Sequence, residues 1–298
     1  MEQPLVSILV VSYNQGKYVK EILDSVKAQT YTNWELIVAD DASPDNSVEE
    51  FKNWLTINNV VAKEIFHTKN TGLATVLNEA IEICNGKYVK LIAADDFMHP
   101  ECLEKSVNSL EIKGEEYGMV FTDTYCIDEN SKLLPDFADY NKLGSIPAED
   151  FRKELLKGNR IAALTVMMHL KVVKETGKYD SKFLVEDYYR WLKINEKYLI
   201  AYIPEKLSYY RWHDNNISKT KAERIDVETM MIQMMFDSDG ILRKKINQIM
   251  SEKYLSNQKI SADLLSTYKK YAYHIKRLKF CIQFNIPPII YRTVSKFI

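Results

Sequence analysis

The sequence predicts an α/β chain: an open, mixed and mostly parallel sheet with helices on both faces, followed by a helical C-terminal extension. Three observations carry that expectation. Residues 5–12 form a nearly continuous apolar, β-branched run, the pattern of a strand covered on both sides. From there to residue 122, strand-like and helix-like segments alternate. Two of the strand-like runs stop abruptly at paired carboxylates, Asp40-Asp41 and Asp95-Asp96. Right-handed crossovers bring the carboxyl ends of parallel strands to one edge of such a sheet, where ligands bind, so both acidic tips are expected to border one cleft.

The first strand, Leu5 to Ser12, ends in the turn Tyr13-Asn14-Gln15-Gly16. It leads into a helix whose Val19, Ile22, Leu23 and Val26 recur at i, i+3, i+4 and i+7. Trp34 to Ala39 is the second strand. Ser47, with Glu50 three residues on, reads as a capping box opening the helix of Val48, Phe51 and Leu55. Ala62 to Phe66 is the third strand. Asn70-Thr71-Gly72 then turns into a helix striped by Leu73, Val76, Leu77, Ala80, Ile81 and Cys84 and closed by Asn85-Gly86. Tyr88 to Ile92 is the fourth strand, Leu103, Val107 and Leu110 mark a helix, and Gly118 to Thr122 a fifth strand.

From Asp123 to residue 160 the periodicity weakens, and a long irregular stretch within a domain is usually functional. Leu164 to His169 is strand-like, Lys171 to Thr176 helical, and Gly177-Lys178-Tyr179-Asp180 a turn, after which Glu186-Asp187 head an aromatic-rich helix. The run Tyr210 to Ser218 concentrates a guanidinium, an imidazole and several amides in a loop after a strand, a chemistry suited to phosphates. Beyond about Thr220 the chain reads as helical, with Met230, Met231, Met234 and Met235 as a core stripe. The expected division is one domain over 1–220, with halves meeting at residues 122 and 123, and a helical extension over 221–298.

Composition narrows the function. With 298 residues and 46% hydrophobic content the chain can bury a large core. Forty basic against 41 acidic residues leave a net charge of −1, which argues against a nucleic-acid partner. Cys84, Cys102, Cys126 and Cys281 have no metal-type spacing, no secretion leader is legible, and no apolar run reaches the roughly 18–20 residues that span a bilayer. A reducing, cytoplasmic setting is expected, with any membrane contact peripheral.

Adjacent carboxylates repel each other and are costly to desolvate, so a tip such as Asp95-Asp96 makes sense if a cation is held there. Few, hard oxygen ligands suit Mg²⁺ or Mn²⁺ shared with a phosphate-bearing substrate. Taken alone, either pair reads more simply as an acidic turn capping the next helix. Their predicted convergence at one sheet edge favours a site.

These residues resemble the family 2 glycosyltransferases, which have the A-type nucleotide-sugar (GT-A, Rossmann-type) fold. The matching signatures are Val10-Val11-Ser12-Tyr13-Asn14, Leu36 to Ser43, Asn70-x-Gly72 with Asn78, Asn85-Gly86-Lys87-Tyr88, Asp95-Asp96, Gly177-x-Tyr179-Asp180, Glu186-Asp187 and Tyr210-Arg211-x-His213, in family order over residues 5 to about 218. The resemblance implies inverting transfer of a sugar from a nucleotide donor, expected to be UDP-linked, to a saccharide acceptor, expected in bacterial surface polysaccharide synthesis and on a lipid carrier. It makes 1–122 the nucleotide-binding half and 123–220 the acceptor-binding half. It implies that Tyr13 flanks the base, Asp41 contacts the uracil, Asn70 lines the nucleotide site and Asp95 faces the ribose. Asp96 holds Mn²⁺ or Mg²⁺ on the diphosphate, His213 reaches the metal, Arg211 and His213 stabilise the leaving diphosphate, and Asp187 is the catalytic base. Ala93 departs from the pattern, since many members have Asp there. The rival functional reading is a catalytically inactive nucleotide-sugar or Mg²⁺-binding module.

The tail adds one more expectation. After Asp263 no acid occurs, whereas Lys269, Lys270, Lys276, Arg277, Lys279, Arg292 and Lys296 do. Leu264, Tyr268, Tyr271, Ile275, Leu278 and Ile282 fall on one helical face, and a second segment carries Ile289, Ile290, Val294, Phe297 and Ile298. Either that seam packs internally, or it lies in the plane of an anionic inner leaflet as a basic amphipathic helix.

Overall fold

A computed structural model describes residues 3–136, 143, 145–271 and 274–294. In chain order its elements are β1 (Val6–Ser12), α1 (Gly16–Lys27), β2 (Trp34–Asp40), α2 (Ser47–Asn58), β3 (Ala62–Phe66), α3 (Leu73–Ile83), β4 (Tyr88–Ala93) and β5 (Phe97–Met98). There follow α4 (Cys102–Lys113), β6 (Tyr117–Ile127), β7 (Leu133–Leu134), α5 (Phe151–Leu156), β8 (Met167–His169), α6 (Leu170–Glu175), α7 (Glu186–Asn195) and β9 (Leu199–Arg211). The remainder is helical: α8 (Ile217–Thr220), α9 (Ala222–Phe236), α10 (Arg243–Leu255), α11 (Ala262–Lys270), α12 (Lys276–Gln283) and α13 (Pro288–Val294).

The chain forms two compact units, one of Met1–Arg152 and Arg160–Thr220, the other of Lys153–Asn159 and Lys221–Ile298. The first is built on one mixed sheet in the order β3-β2-β1-β4-β8-β6-β9-β5, with β7 paired to β6. Strand β1 is buried along its whole length, as its apolar run requires, and runs parallel to β2 and β4 on either side. The register puts Ser12 beside Asp40 and Val11 beside Ala93, so β2 and β4 reach their acidic tips at the same edge. The parallel half is stitched to the rest through β8, antiparallel to both β4 and β6. Gly86 allows β4 to start against β1: a Cβ there would lie 2.6 Å from the Ser7 nitrogen.

Several local expectations are revised. Ser47 is the first residue of α2 rather than its cap, and its Oγ donates to Asp45 Oδ1 at 2.5 Å. Helix α3 ends at Ile83, and Asn85 instead donates its N–H to Glu35 Oε1 at 2.6 Å. The run from Leu164 opens as a 3-10 turn, Ala163–Thr165, before β8. Strand β6 continues to Ile127 with irregular register against β9, so part of the segment read as irregular belongs to the sheet.

In the second unit Met230 and Met234 are buried as a core stripe requires, but Met235 is exposed. The tail seam is mostly buried: Leu264, Tyr268, Tyr271, Leu278 and Ile282 are interior, and Ile275 is exposed. Tyr268 Oη donates to Asn247 Oδ1 at 2.5 Å and Tyr271 Oη to Asp237 Oδ2 at 2.6 Å. The helix also breaks at Tyr271, whose backbone is extended, and resumes at Lys276. A single in-plane helix presenting that seam to lipid is thereby corrected to internal packing. The side chain of Val294, and Lys296, Phe297 and Ile298, lie outside the described residues. Among the described residues no helix is long and apolar enough to cross a membrane.

Candidate active site

The carboxyl edge of the sheet is assembled on the end of β1. Asp41 N–H donates to the Ser12 carbonyl at 3.2 Å and Ala94 N–H to the Val11 carbonyl at 2.8 Å, so the turns after β2 and β4 leave the sheet on either side of this strand end. Ser12 itself is 1% exposed, and its Oγ has no partner among the described residues.

On one side the turns after β1 and β2 lock together. Asp40 is buried and accepts from the N–H and the hydroxyl of Ser43, whose Oγ in turn accepts the Asn14 N–H at 2.8 Å. Asp45 accepts the Gly16 N–H at the start of α1 at 2.8 Å. Tyr13, between these anchors, is left half exposed at the edge.

Asp41 organises the next loop. Its Oδ1 accepts from Thr71 N–H (2.8 Å), Thr71 Oγ1 (3.0 Å) and His67 Nδ1 (2.9 Å), and its Oδ2 from Gly72 N–H (2.7 Å). Burial alone would raise this carboxyl, but the Thr71 and Gly72 amides and His67 hold it below the usual carboxylate range. Three of these donors converge on Oδ1 and one reaches Oδ2. Asp41 thereby clamps the loop that exposes Asn70, with Gly72 at φ 87° giving the turn its left-handed step.

On the other side of β1 the structure brings Asp95, Asp96, Arg211 and His213 together. Asp96 Oδ1 accepts the Arg211 N–H at 2.8 Å, and His213 Nε2 lies 3.1 Å from Asp95 Oδ2. His213 Nδ1 accepts the Asn215 N–H at 3.2 Å, which leaves the proton on Nε2, facing Asp95. Burial, and then the neighbouring Asp95, push the Asp96 carboxyl well above its usual range, against the opposing pull of Arg211.

The Arg211 guanidinium is held in the interior. The residue is 1% exposed. Its Nε donates to the Asp95 carbonyl (2.7 Å), Nη1 to the Asp128 carbonyl (2.9 Å) and Ser131 Oγ (3.0 Å), and Nη2 to Glu21. It also lies over the Tyr18 ring, 4.3 Å from its centroid, and Tyr18 stacks in turn on His213. In this structure Arg211 braces the acidic tip, with Glu21, Tyr18 and Ser131 as partners sequence reasoning missed. Lys90 was also missed. It is fully buried in β4, donates to the Leu164 carbonyl at 2.5 Å, and is pushed down by burial.

Asp187 stands on another element, the first turn of α7, half-buried, with its Oδ1 accepting the Tyr188 N–H at 2.6 Å. Its helix is tied to the preceding turn by Arg190, whose Nη1 donates to the carbonyls of Val173 and Gly177 and to Thr176 Oγ1. Asn78 on α3 holds the same turn through both backbone polar groups of Tyr179.

Among the described residues no three His, Cys, Asp or Glu side chains form a complete metal site. Asp95 and Asp96 offer two adjacent carboxylates, with His213 hydrogen-bonded to the first. That fits a hard cation drawing most of its ligands from water and substrate phosphates. For His213 to join it, Nε2 must give up Asp95.

The family model described as Glycosyl transferase family 2 matches residues 7–171. The chain belongs to this family. A Bacillus subtilis protein named for teichuronic acid biosynthesis, the glycosyltransferase TuaG, is 28% identical over 222 residues, 74% of this chain and 83% of its own. The structure of S. aureus TarS in complex with UDP-GlcNAc superposes with a TM-score of 0.68 at 16% identity, covering 92% of this chain and 82% of that one. The mannosyltransferase PcManGT of Pyrobaculum calidifontis, in complex with GDP-Man and Mn²⁺, gives 0.60 at 15% identity, over 97% and 86%. These likenesses show that this glycosyltransferase has the GT-A-like fold. Asp187, Arg211 and His213 lie beyond the matched residues 7–171 of the family 2 model, so the structure alone describes their surroundings.

Proposed function

We propose that this glycosyltransferase moves a sugar, with inversion, from a UDP-sugar to an acceptor hydroxyl in polysaccharide synthesis, at a Mg²⁺- or Mn²⁺-dependent site. The observation that carries the reading is the delivery of both acidic turns to the end of β1, with Asp95, Asp96 and His213 gathered on one side of it. The names of TuaG and of the TarS complex support a polysaccharide product and a UDP-linked donor. The PcManGT complex supports a divalent ion.

Asp96 would hold the cation, with Asp95 and His213 beside it. When bound, the cation supplies Lewis-acid neutralisation of the diphosphate leaving group. Arg211 keeps the tip in place from behind, so the two carboxylates remain close despite their repulsion. Tyr13 and the Asn70 loop clamped by Asp41 frame the nucleotide, and Asp95 faces the ribose. Asp187 takes the proton from the acceptor hydroxyl as that oxygen attacks the anomeric carbon opposite the departing phosphate, which inverts the centre in one displacement. The acceptor is a saccharide on a lipid carrier, and the enzyme works at the cytoplasmic face of the membrane.

The test is release of UDP, GDP or dTDP from a panel of sugar nucleotides, with Mn²⁺, with Mg²⁺ and with chelator. Metal-dependent release from a UDP-sugar is the expected result. Turnover of GDP- or dTDP-sugars alone, or turnover unchanged by chelator, would contradict the donor or the metal respectively.

A further inference from the structure

The last two helices of the C-terminal unit carry a combination that the transfer reaction leaves unused. Five large apolar side chains stand in solvent there: Ile275 before α12, Phe280 on it, Phe284 just after it, and Ile289 and Ile290 on α13, the last four each at least half exposed. Phe280 and Phe284 are one turn apart with ring centroids at 4.6 Å, so they form one continuous apolar surface. The helices are held in place beneath it. Leu278 and Ile282 anchor α12 in the interior, and Tyr254 donates to the Ile286 carbonyl at 2.5 Å while meeting the Tyr291 ring edge-on. A cleft of about 420 Å³ lies here, lined by Ile275, Phe280, Ile290 and Tyr291 together with Lys276 and Arg277.

The charged side chains that these two helices contribute have one sign. Lys276, Arg277, Lys279 and Arg292 lie on the same two helices, and no acid follows Asp263. A second copy packed about a two-fold axis would set this basic patch against itself. A nucleic acid would satisfy the bases but leave the phenyl and isoleucyl groups without an apolar partner. An anionic bilayer satisfies both at once, because its phosphates meet the cations while its acyl boundary takes the apolar side chains.

We propose that α12 and α13 dock this protein on the surface of an anionic phospholipid bilayer. Phe280, Phe284, Ile289 and Ile290 enter the acyl boundary, and Lys276, Arg277, Lys279 and Arg292 contact lipid phosphates. The docking face is the solvent side of these helices, opposite in character to the buried seam of Leu278 and Ile282.

Co-sedimentation of the full chain with phosphatidylcholine vesicles containing increasing phosphatidylglycerol tests this. Partitioning should rise with phosphatidylglycerol and fall with salt. Lys276→Gln with Arg277→Gln should lower it roughly fivefold per charge, and Phe280→Ser with Phe284→Ser by at least about tenfold, with thermal midpoints unchanged because these side chains are in solvent. The two pairs test the proposal independently, so a folding defect in the phenylalanine variant leaves the charge variant to decide. Binding that ignores phosphatidylglycerol and salt, or full retention of binding by the charge variant, would overturn it. A dimer in sedimentation velocity that Phe280→Ser dissociates would overturn it too, by assigning the face to a second copy.

Discussion

At Asp96 a buried carboxyl stands beside a second carboxylate, and its Oδ1 accepts the Arg211 N–H. Asp96→Asn keeps that acceptor and removes the repulsion, so without metal the variant should unfold at the same or a higher temperature than the wild type, as differential scanning fluorimetry would show. The opposite is expected of Arg211. Arg211→Met removes the fork that joins Glu21, Ser131 and the Asp95 and Asp128 carbonyls, and loss of the charged contact alone should cost about 1.5–3 kcal/mol in urea unfolding. At Asp187, replacement by Asn keeps shape and removes the proposed base, and should lower turnover by roughly 10² to 10⁴ with the thermal midpoint unchanged. A fall in stability with turnover per folded molecule intact would make Asp187 a helix-terminal residue only. Asp41 and Arg211 show what residue types alone do not reveal. Carboxylate and guanidinium were legible as functional chemistry, but which partners fill their hydrogen-bonding capacity depends on loops and turns that pack from about 30 to 190 residues away.

At the scale of elements, the loop from His67 to Gly72 depends on protonation. Burial lowers His67, but Glu79 and Asp41 outweigh it and raise its pKa above the ordinary 6.5. A group raised on folding contributes stability that is complete below its unfolded pKa and is lost as pH rises through the higher folded value. The midpoint difference between wild type and His67→Gln should therefore be largest below pH 6.5 and shrink above it, which a pH series of thermal melts would measure. Asp41 has the reverse sign, its contribution being lost only as pH falls through a value below 3.8. Strands β1 to β4 were legible because apolar runs end at clear punctuation. The two-residue β5 and β7 carry no periodicity to detect, and the far end of β6 was hidden by polar Thr122, Asp123 and Thr124 at its irregular junction with β9. In the tail, Leu278 and Ile282 keep the helical phase of Leu264 and Tyr268, so the spacing could not reveal the extended backbone at Tyr271 between them.

For the whole molecule, the sheet topology brings both acidic turns to the end of β1, and the proposed cation site is the Asp95-Asp96 tip on one side of it. On that proposal the cation arrives with the substrate, so metal and nucleotide should bind cooperatively. The most direct measurement is calorimetric titration of UDP into wild type and Asp96→Asn, each with Mn²⁺ and with chelator. UDP affinity should rise with Mn²⁺ in the wild type and be indifferent to it in Asp96→Asn; equal affinity with and without metal in the wild type, or an undiminished metal effect in the variant, would contradict the assignment of this acidic tip.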